Sequence, residues 1–308
     1  MGVQIADVRA FWEAHPCNSS YSNRTDRRAY FEEIERRRFE TEPHIPIVAQ
    51  FDQFKDKDVL EVGCGIGTDG FQFARHGARY TGIDLAPTAV AITRERFELF
   101  GIPGRFEVAN AEERIPFADA SFDHVYSCGV IHHSPDTEAI VREMYRVLRP
   151  GGTLCVMIYN KTSINYYLQI MFLRKLFRWL LYPSFMPALV AKLTGFERWK
   201  LERHREIMLT RGRLSKQEWI SMNTDGPDCP LAKVYTAAEA LALFKDFTDV
   251  RTEVWHFNRL HWPLIGRLLP ERLVQFLGRR WGWHRFVFGR KPLRAASHGD
   301  VNRLASEV

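Results

Sequence analysis

The stretch Asp58-Val-Leu-Glu-Val-Gly-Cys-Gly-Ile-Gly-Thr68 decides how the chain is read. An apolar run, Val59–Val62, leads straight into Gly63, Gly65 and Gly67. That is the pattern of a strand ending in a tight turn where a ligand touches bare backbone, because side chains there would collide with it. The next segment, Thr68–His76, reads as a helix closed by Gly77. Its N-terminus offers free N–H groups to an anionic or polar ligand. Outward from this point, Arg79–Leu85 is a strand and Pro87–Phe100 a helix, with Pro87 suited to a first turn. Arg105–Ala109 and Asp123–Ser127 are strands, Thr137–Leu148 is a helix stopped by Pro150-Gly151-Gly152, and Thr153–Tyr159 is a fifth strand. Strands alternating with helices of this length predict βαβ units and a parallel sheet. Upstream, residues 26–40 read as a helix capped by Asp26, with Glu32/Arg36 and Glu33/Arg37 pairs. Downstream the rhythm breaks. Residues 160–235 are aromatic, basic and helical in pattern, followed by a helix at Ala237–Phe244 and strands at Val250–Phe257 and near Arg285–Phe288.

Among the 308 residues, 45% are hydrophobic and 26% charged, which excludes collagen-like, disordered and disulfide-scaffold chains. The five cysteines are odd in number and never spaced C-x-x-C, which argues against a disulfide framework or zinc site and for a reducing compartment. No apolar signal core opens the chain, since Asp7, Arg9 and Glu13 interrupt it. The most apolar segment, Ile164–Ala191, contains Arg174, Lys175, Arg178, Pro183 and Pro187. Each central charge costs about 2.5–3.5 kcal/mol on insertion, so a membrane span is not expected and the expected location is cytoplasmic. The net charge of +6 is unevenly spread. Residues 1–159 hold 18 Lys/Arg against 24 Asp/Glu, and residues 160–308 hold 25 against 13, so the halves carry −6 and +12.

Two cofactors suit the glycine turn. Gly65-Ile-Gly67-Thr-Asp-Gly70 matches the dinucleotide pattern G-x-G-x-x-G, with Asp84 near the distance at which a carboxylate accepts ribose hydroxyls. Glu61, two residues before Gly63, separates the two. A carboxylate there repels a pyrophosphate but favours the cationic sulfonium and ammonium of S-adenosylmethionine.

The chain resembles the class I S-adenosylmethionine-dependent methyltransferases. Beside Leu60–Gly67, the matching motifs are Gly82-Ile-Asp-Leu85, Ala109-Asn-Ala-Glu-Glu-Arg-Ile-Pro-Phe117, Phe122-Asp-His-Val-Tyr-Ser127 and Tyr145-Arg-Val-Leu-Arg-Pro-Gly-Gly152. With Gly129-Val-Ile-His-His133, the pattern is most similar to the small-molecule branch that includes ubiquinone and menaquinone biosynthesis methyltransferases. The resemblance covers residues 55–160 and not 1–50 or 160–235. It implies an α/β, Rossmann-like, doubly wound seven-stranded sheet. Around it lie a helical N-terminal segment or lid (1–50), an S-adenosylmethionine-binding core (51–159), a helical substrate-side insertion after the fifth strand (160–235) and a C-terminal completion of the sheet (236–308). It further implies that Glu61, Gly63, Gly65 and Gly67 hold the methionine end and Asp84 the ribose. Leu85 packs on the adenine, which Asn110, Ala111 and Glu112 also face, and Cys128 contributes a backbone contact. Many relatives carry Asp where this chain has Asn110, whose carbonyl oxygen still accepts from the adenine amino group.

His132 and His133 lie just past the fourth strand, at the carboxyl edge of the sheet where ligands bind. Either is a candidate general base for methyl transfer, with packing or loop shaping as the alternative role. No metal constellation stands out, and no metal is expected. The Asn-Pro-Pro-Tyr signature of amino methylation on bases is absent; Ser127-Cys-Gly-Val-Ile stands there. The expected reaction is methyl transfer to a small organic acceptor, at oxygen on an aromatic or apolar body. Three alternatives are an RNA or protein methyltransferase docking through the basic half, a nicotinamide-dependent oxidoreductase, and a membrane-binding module without the chemistry. In the insertion, Ile170, Leu173, Phe177 and Leu181 recur at helical spacing, with Arg174, Lys175 and Arg178 on one arc. They read either as a helix packed on the core or as an in-plane membrane contact. Trp262–Arg290 presents the same choice. Phe11, Trp12, Tyr21 and Tyr30 are candidates for a lid over the cofactor, and Asp225 or Asp228 for a loop pointing into the site. The oligomeric state is not legible.

Overall fold

The computed structural model describes residues 2–259, 262 and 266–293. The expectations for residues 263–265 and 294–308 lie outside the described residues. Eight strands form one sheet: β1 (Asp58–Val62), β2 (Arg79–Asp84), β3 (Arg105–Val108), β4 (Phe122–Cys128), β5 (Leu148–Asn160), β6 (Val234–Tyr235), β7 (Thr248–Trp255) and β8 (His284–Arg290). Their order is β3-β2-β1-β4-β5-β8-β7, with the two-residue β6 paired to the end of β5. The first five strands are parallel neighbours, while β8 runs antiparallel to both β5 and β7. The resemblance implies seven strands in a doubly wound sheet, and the short β6 adds an eighth. The chain winds one way from β1 through β2 to β3, then returns to place β4 on the other side of β1. The resulting crevice at the carboxyl ends of β1 and β4 is where open α/β sheets bind ligands.

Side chains alternate between the two faces of the sheet with period two, and both faces are covered. Val59, Tyr80, Tyr126, Cys155, Met157 and Phe286 belong to one buried cluster, and Leu60, Ile83, Val125, Leu154, Val156 and Val287 to the other. Helices cover the sheet: α1 (Ile5–Ala14), α2 (Arg27–Thr41), α3 (His44–Ala49), α4 (Thr68–Arg75), α5 (Pro87–Phe100) and α6 (Thr137–Val147) come before or between the first five strands. The Arg-Pro-Gly-Gly run, expected to stop a helix, does so but also opens β5, which starts at Leu148.

The insertion is helical but broken. A π-helical segment at Asn165–Leu173 runs into α7 (Arg174–Phe177), a 3₁₀ turn (Arg178–Leu181), α8 (Met186–Thr194), α9 (Arg198–Arg211) and α10 (Lys216–Met222). Then come α11 (Ala237–Leu243) and α12 (Glu271–Trp281). The single amphipathic stripe expected here does not form. A π segment closes i→i+5 hydrogen bonds, so the phase of the following residues shifts relative to an α-helix. Ile170 is fully buried while Phe177 is exposed, and Arg174, expected on the solvated arc, turns inward to donate to the Asn223 carbonyl.

Candidate active site

The glycine turn after β1 is built as its sequence requires. Gly63, Gly65 and Gly67 all have positive φ, at 82°, 53° and 75°. A Cβ on Gly63 would stand 2.3 Å from Val130, and one on Gly67 2.8 Å from Thr93. A Cβ on Gly65 would meet nothing within 4 Å, because Gly65 faces a cavity of about 350 Å³. The loop is held from outside: Thr93 donates to the Gly65 carbonyl at 2.7 Å, and Asp84 accepts from the Gly65 N–H at 2.9 Å. An open glycine cradle backed by a carboxylate fits S-adenosylmethionine.

Asp84, at the end of β2, also accepts from the Ala86 N–H. Burial pushes its carboxyl above the usual range, while the Ala86 and Gly65 N–H groups pull the other way. Gly63, Gly65, Asp84, Leu85, Asn110, Ala111, Cys128 and His133 all line the same cavity. Four expected site residues do not. Gly67 sits behind the turn as the N-cap of α4. Glu112 is turned to the loop after β4, where it accepts from Ser134 and the Asp136 N–H. Glu61 is buried behind the glycine turn, with Tyr80 donating to it at 2.5 Å. Burial, with Asp69 nearby, holds its carboxyl well above the usual range. His132 is fully buried, its ring packed on Tyr159 with centroids 4.0 Å apart.

The N-terminal segment closes the cavity. Ile5, Val8 and Trp12 of α1 line it together with Tyr21, whereas Tyr30 packs in a buried cluster with Phe31, Ile34 and Ile66. The helix is tied to the start of α5 by Glu13, which accepts from the Thr88 hydroxyl and N–H. Arg38 and Glu42 of α2 also reach the cavity. Arg38 pairs with Glu42 and, at 3.2 Å, with Asp69, which in turn accepts from the Tyr126 hydroxyl at 3.0 Å. These contacts couple α2, α4 and β4. Burial works against the Arg38 charge, but Asp69 and Glu42 more than offset it and hold its pKa well above the usual value. His256 and His284 line the same wall and stack with centroids 4.5 Å apart.

His133 marks the other end of the cavity. Its Nδ1 lies 2.6 Å from the Leu231 carbonyl, which can only accept, so the proton belongs on Nδ1. Nε2 is thereby left as an acceptor, and it has no hydrogen-bond partner. Facing it at 3.6 Å is Oδ2 of Asp225, also without a hydrogen-bond partner, while Oδ1 accepts from the Tyr159 hydroxyl at 2.8 Å. Trp12 packs edge-on against the imidazole. Asp225 belongs to both this cavity and a larger one of about 1070 Å³ under the insertion. The two also share Trp12, Cys17, Tyr21, Thr224 and Asn258. Of the loop candidates, Asp225 therefore faces the site, and Asp228 pairs with Arg203 at 2.8 Å on the rim of the larger cavity.

Sequence reasoning missed Arg38, Glu42, Tyr159, His256 and His284. Arg38 carried a readable signal: it lies seven residues after Phe31 and four after Ile34, on the buried face of α2. The others had no local signature.

Residues 60–156 match the family described as a methyltransferase domain. The S-adenosylmethionine-dependent methyltransferase reading stands at the level of that domain, and the nicotinamide alternative falls with it. The chain is 32% identical over 121 residues to sterol 4-C-methyltransferase strm-1 of Caenorhabditis elegans, covering 39% of this chain and 36% of that protein. It is 36% identical over 112 residues to a ubiquinone biosynthesis O-methyltransferase of Xanthomonas euvesicatoria pv. vesicatoria, covering 36% of this chain and 47% of that one. The chain thus spans about a third to a half of the length of the curated relatives it matches. The fold is shared with phosphoethanolamine N-methyltransferase 2 of Haemonchus contortus, solved with phosphomonomethylethanolamine and S-adenosylhomocysteine. That likeness has a TM-score of 0.52 and 18% identity, over 92% of this chain and 60% of the other. Among the described residues, no helix is long and apolar enough to cross a membrane.

Proposed function

We propose that the protein transfers a methyl group from S-adenosylmethionine to a hydroxyl of a small, largely apolar organic acceptor. The observation that carries this reading is the pair of cavities meeting at Asp225 and Trp12, with His133 of the smaller cavity 3.6 Å from Asp225. When bound, the cofactor supplies an electrophilic methyl on a cationic sulfur. The glycine turn and Asp84 hold it in the smaller cavity, and the larger cavity seats the acceptor's body. Phe177, Leu193, Trp199 and Trp219 supply an apolar lining there.

His133 takes the hydroxyl proton on Nε2 as the oxygen becomes nucleophilic, and the Leu231 carbonyl keeps the imidazole in the required tautomer. Asp225 lies beside Nε2 and stabilises the imidazolium that forms, as a carboxylate does for a neighbouring cation. Trp12 and α1 exclude water. Curated relatives that methylate a sterol and a ubiquinone precursor, by their names, support an acceptor with an apolar body.

The test is calorimetric titration with S-adenosylmethionine, followed by measurement of S-adenosylhomocysteine release with phenols, catechols and primary amines as acceptors. Saturable binding and release with hydroxyl acceptors are expected. Absence of binding overturns the cofactor assignment, and release with amines alone overturns the acceptor class.

A further inference from the structure

We propose that the outer face of the insertion docks on an anionic phospholipid bilayer, so that the larger cavity opens onto the membrane surface. The docking itself does not depend on the reaction assigned above; the delivery of an apolar acceptor from the lipid rests on that reading.

The first observation is where the exposed apolar side chains fall. Phe172, Phe177, Trp179, Phe185, Leu193 and Trp199 lie within one stretch and are between 49% and 67% exposed. Large apolar groups left in water mark an interaction site where they adjoin one another on the surface. The π segment helps to produce the arrangement, since it shifts the phase of the residues after it and leaves Phe177 outside. On α8, Leu189 and Leu193 are one helical turn apart and both exposed, so that helix presents an apolar face outward.

The second observation is charge. From residue 160 to residue 196 there is no Asp or Glu, while Lys161, Arg174, Lys175, Arg178 and Lys192 all occur there. Arg178 and Lys192 are exposed and have no ion-pair partner among the described residues. Exposed apolar side chains interspersed with Arg178 and Lys192, and with Trp179 and Tyr182 among them, complement a surface that is anionic outside and hydrocarbon beneath. Trp179, Tyr182 and Trp199 are amphipathic, as suits groups at a lipid–water boundary.

The third observation is continuity. Phe177, Arg178, Leu193 and Trp199 are exposed and also line the larger cavity, so they form its mouth. A bilayer resting on this face would cover that mouth. An apolar acceptor dissolved in the lipid would then reach the site without crossing water.

The experiment is co-sedimentation of the full chain with vesicles of phosphatidylcholine alone and of phosphatidylcholine with phosphatidylglycerol, at low and high salt. Binding is expected on the anionic vesicles and weakens with salt. The double variant Trp179→Asp with Phe185→Asp, both outside the cavity linings, lowers vesicle affinity by about tenfold or more, because both aromatic anchors are lost. Lys192→Glu lowers it less, and both leave S-adenosylmethionine binding unchanged, which reports that they fold. The proposal is overturned if anionic vesicles do not bind the protein, if phosphatidylcholine alone binds it equally well, or if the double variant binds as the parent does. It is also overturned if light scattering shows a dimer that the double variant dissociates while vesicles bind neither form, because the face then belongs to a second copy.

Discussion

Nε2 of His133 and Oδ2 of Asp225 face each other at 3.6 Å, both buried and neither with a hydrogen-bond partner among the described residues. With the imidazole neutral, two acceptors held together without a donor destabilise the protein, since each leaves a desolvation penalty unmet. A ligand hydroxyl reaching this pair can donate to one of the two acceptors. Asp225→Asn puts an amide N–H opposite Nε2 while keeping an oxygen for Tyr159. We expect it to stabilise the protein by about 1 kcal/mol, read as a higher Tm, while turnover falls because the base is now occupied. His133→Ala lowers kcat by about 10²–10⁴ without weakening S-adenosylmethionine binding. Full activity in both variants would remove His133 from the mechanism.

Two alanine substitutions in the glycine turn separate folding from binding. Gly63→Ala drives a methyl into Val130, so thermal stability drops sharply. Gly65→Ala meets no neighbour and pays only the left-handed backbone strain of about 1–2 kcal/mol. Its methyl occupies the cradle instead, so calorimetry should show cofactor binding lost from a chain that still unfolds cooperatively.

If Asp84 holds the ribose as proposed, cofactor affinity is sensitive to acid. Its folded pKa is raised, so it takes up a proton at a higher pH than an ordinary carboxyl. The protonated form is the poorer acceptor of ribose hydroxyls. Affinity is therefore full at neutral pH and declines on acidification above the usual carboxylate range. Titrations at stepped pH check this, and Asp84→Asn should bind weakly with a flatter profile.

Stability should fall as pH drops below about 6.5, the ordinary histidine value. Burial holds His44 down to about 2 and His124 to about 3. Between those values and the ordinary one, the unfolded chain binds protons that the folded chain refuses. Stability gained from their neutral burial is present above the unfolded pKa and is lost progressively below it. Each such group contributes a slope of up to about 1.4 kcal/mol per pH unit. Urea midpoints at pH 7.5, 6 and 5 measure the trend, and His124→Phe should reduce it.

The sheet was legible because its first five strands and their helices carry local punctuation. Pro87 starts α5, Gly77 follows α4, and Gly63 ends β1, each within a few residues of the element it bounds. The two-residue β6 was not legible, because its pairing with Tyr159 and Asn160 depends on a loop that returns from the insertion. The cofactor end of the site was readable for the same local reason. Its far wall is assembled from Glu42, Tyr159, Asp225, His256 and His284, which are remote in sequence and meet only through tertiary packing. The insertion misled through its period: an apolar repeat of three and four residues implies an α-helix, and a π segment breaks that phase.

The strap formed by α1 has a kinetic consequence. Ile5, Val8 and Trp12 roof the smaller cavity, and Glu13 latches the helix to Thr88 at the start of α5. Under the proposed function, spent cofactor that leaves past α1 must first break the contact of Glu13 with Thr88, so its residence time would report a carboxylate–hydroxyl contact remote from the reacting atoms.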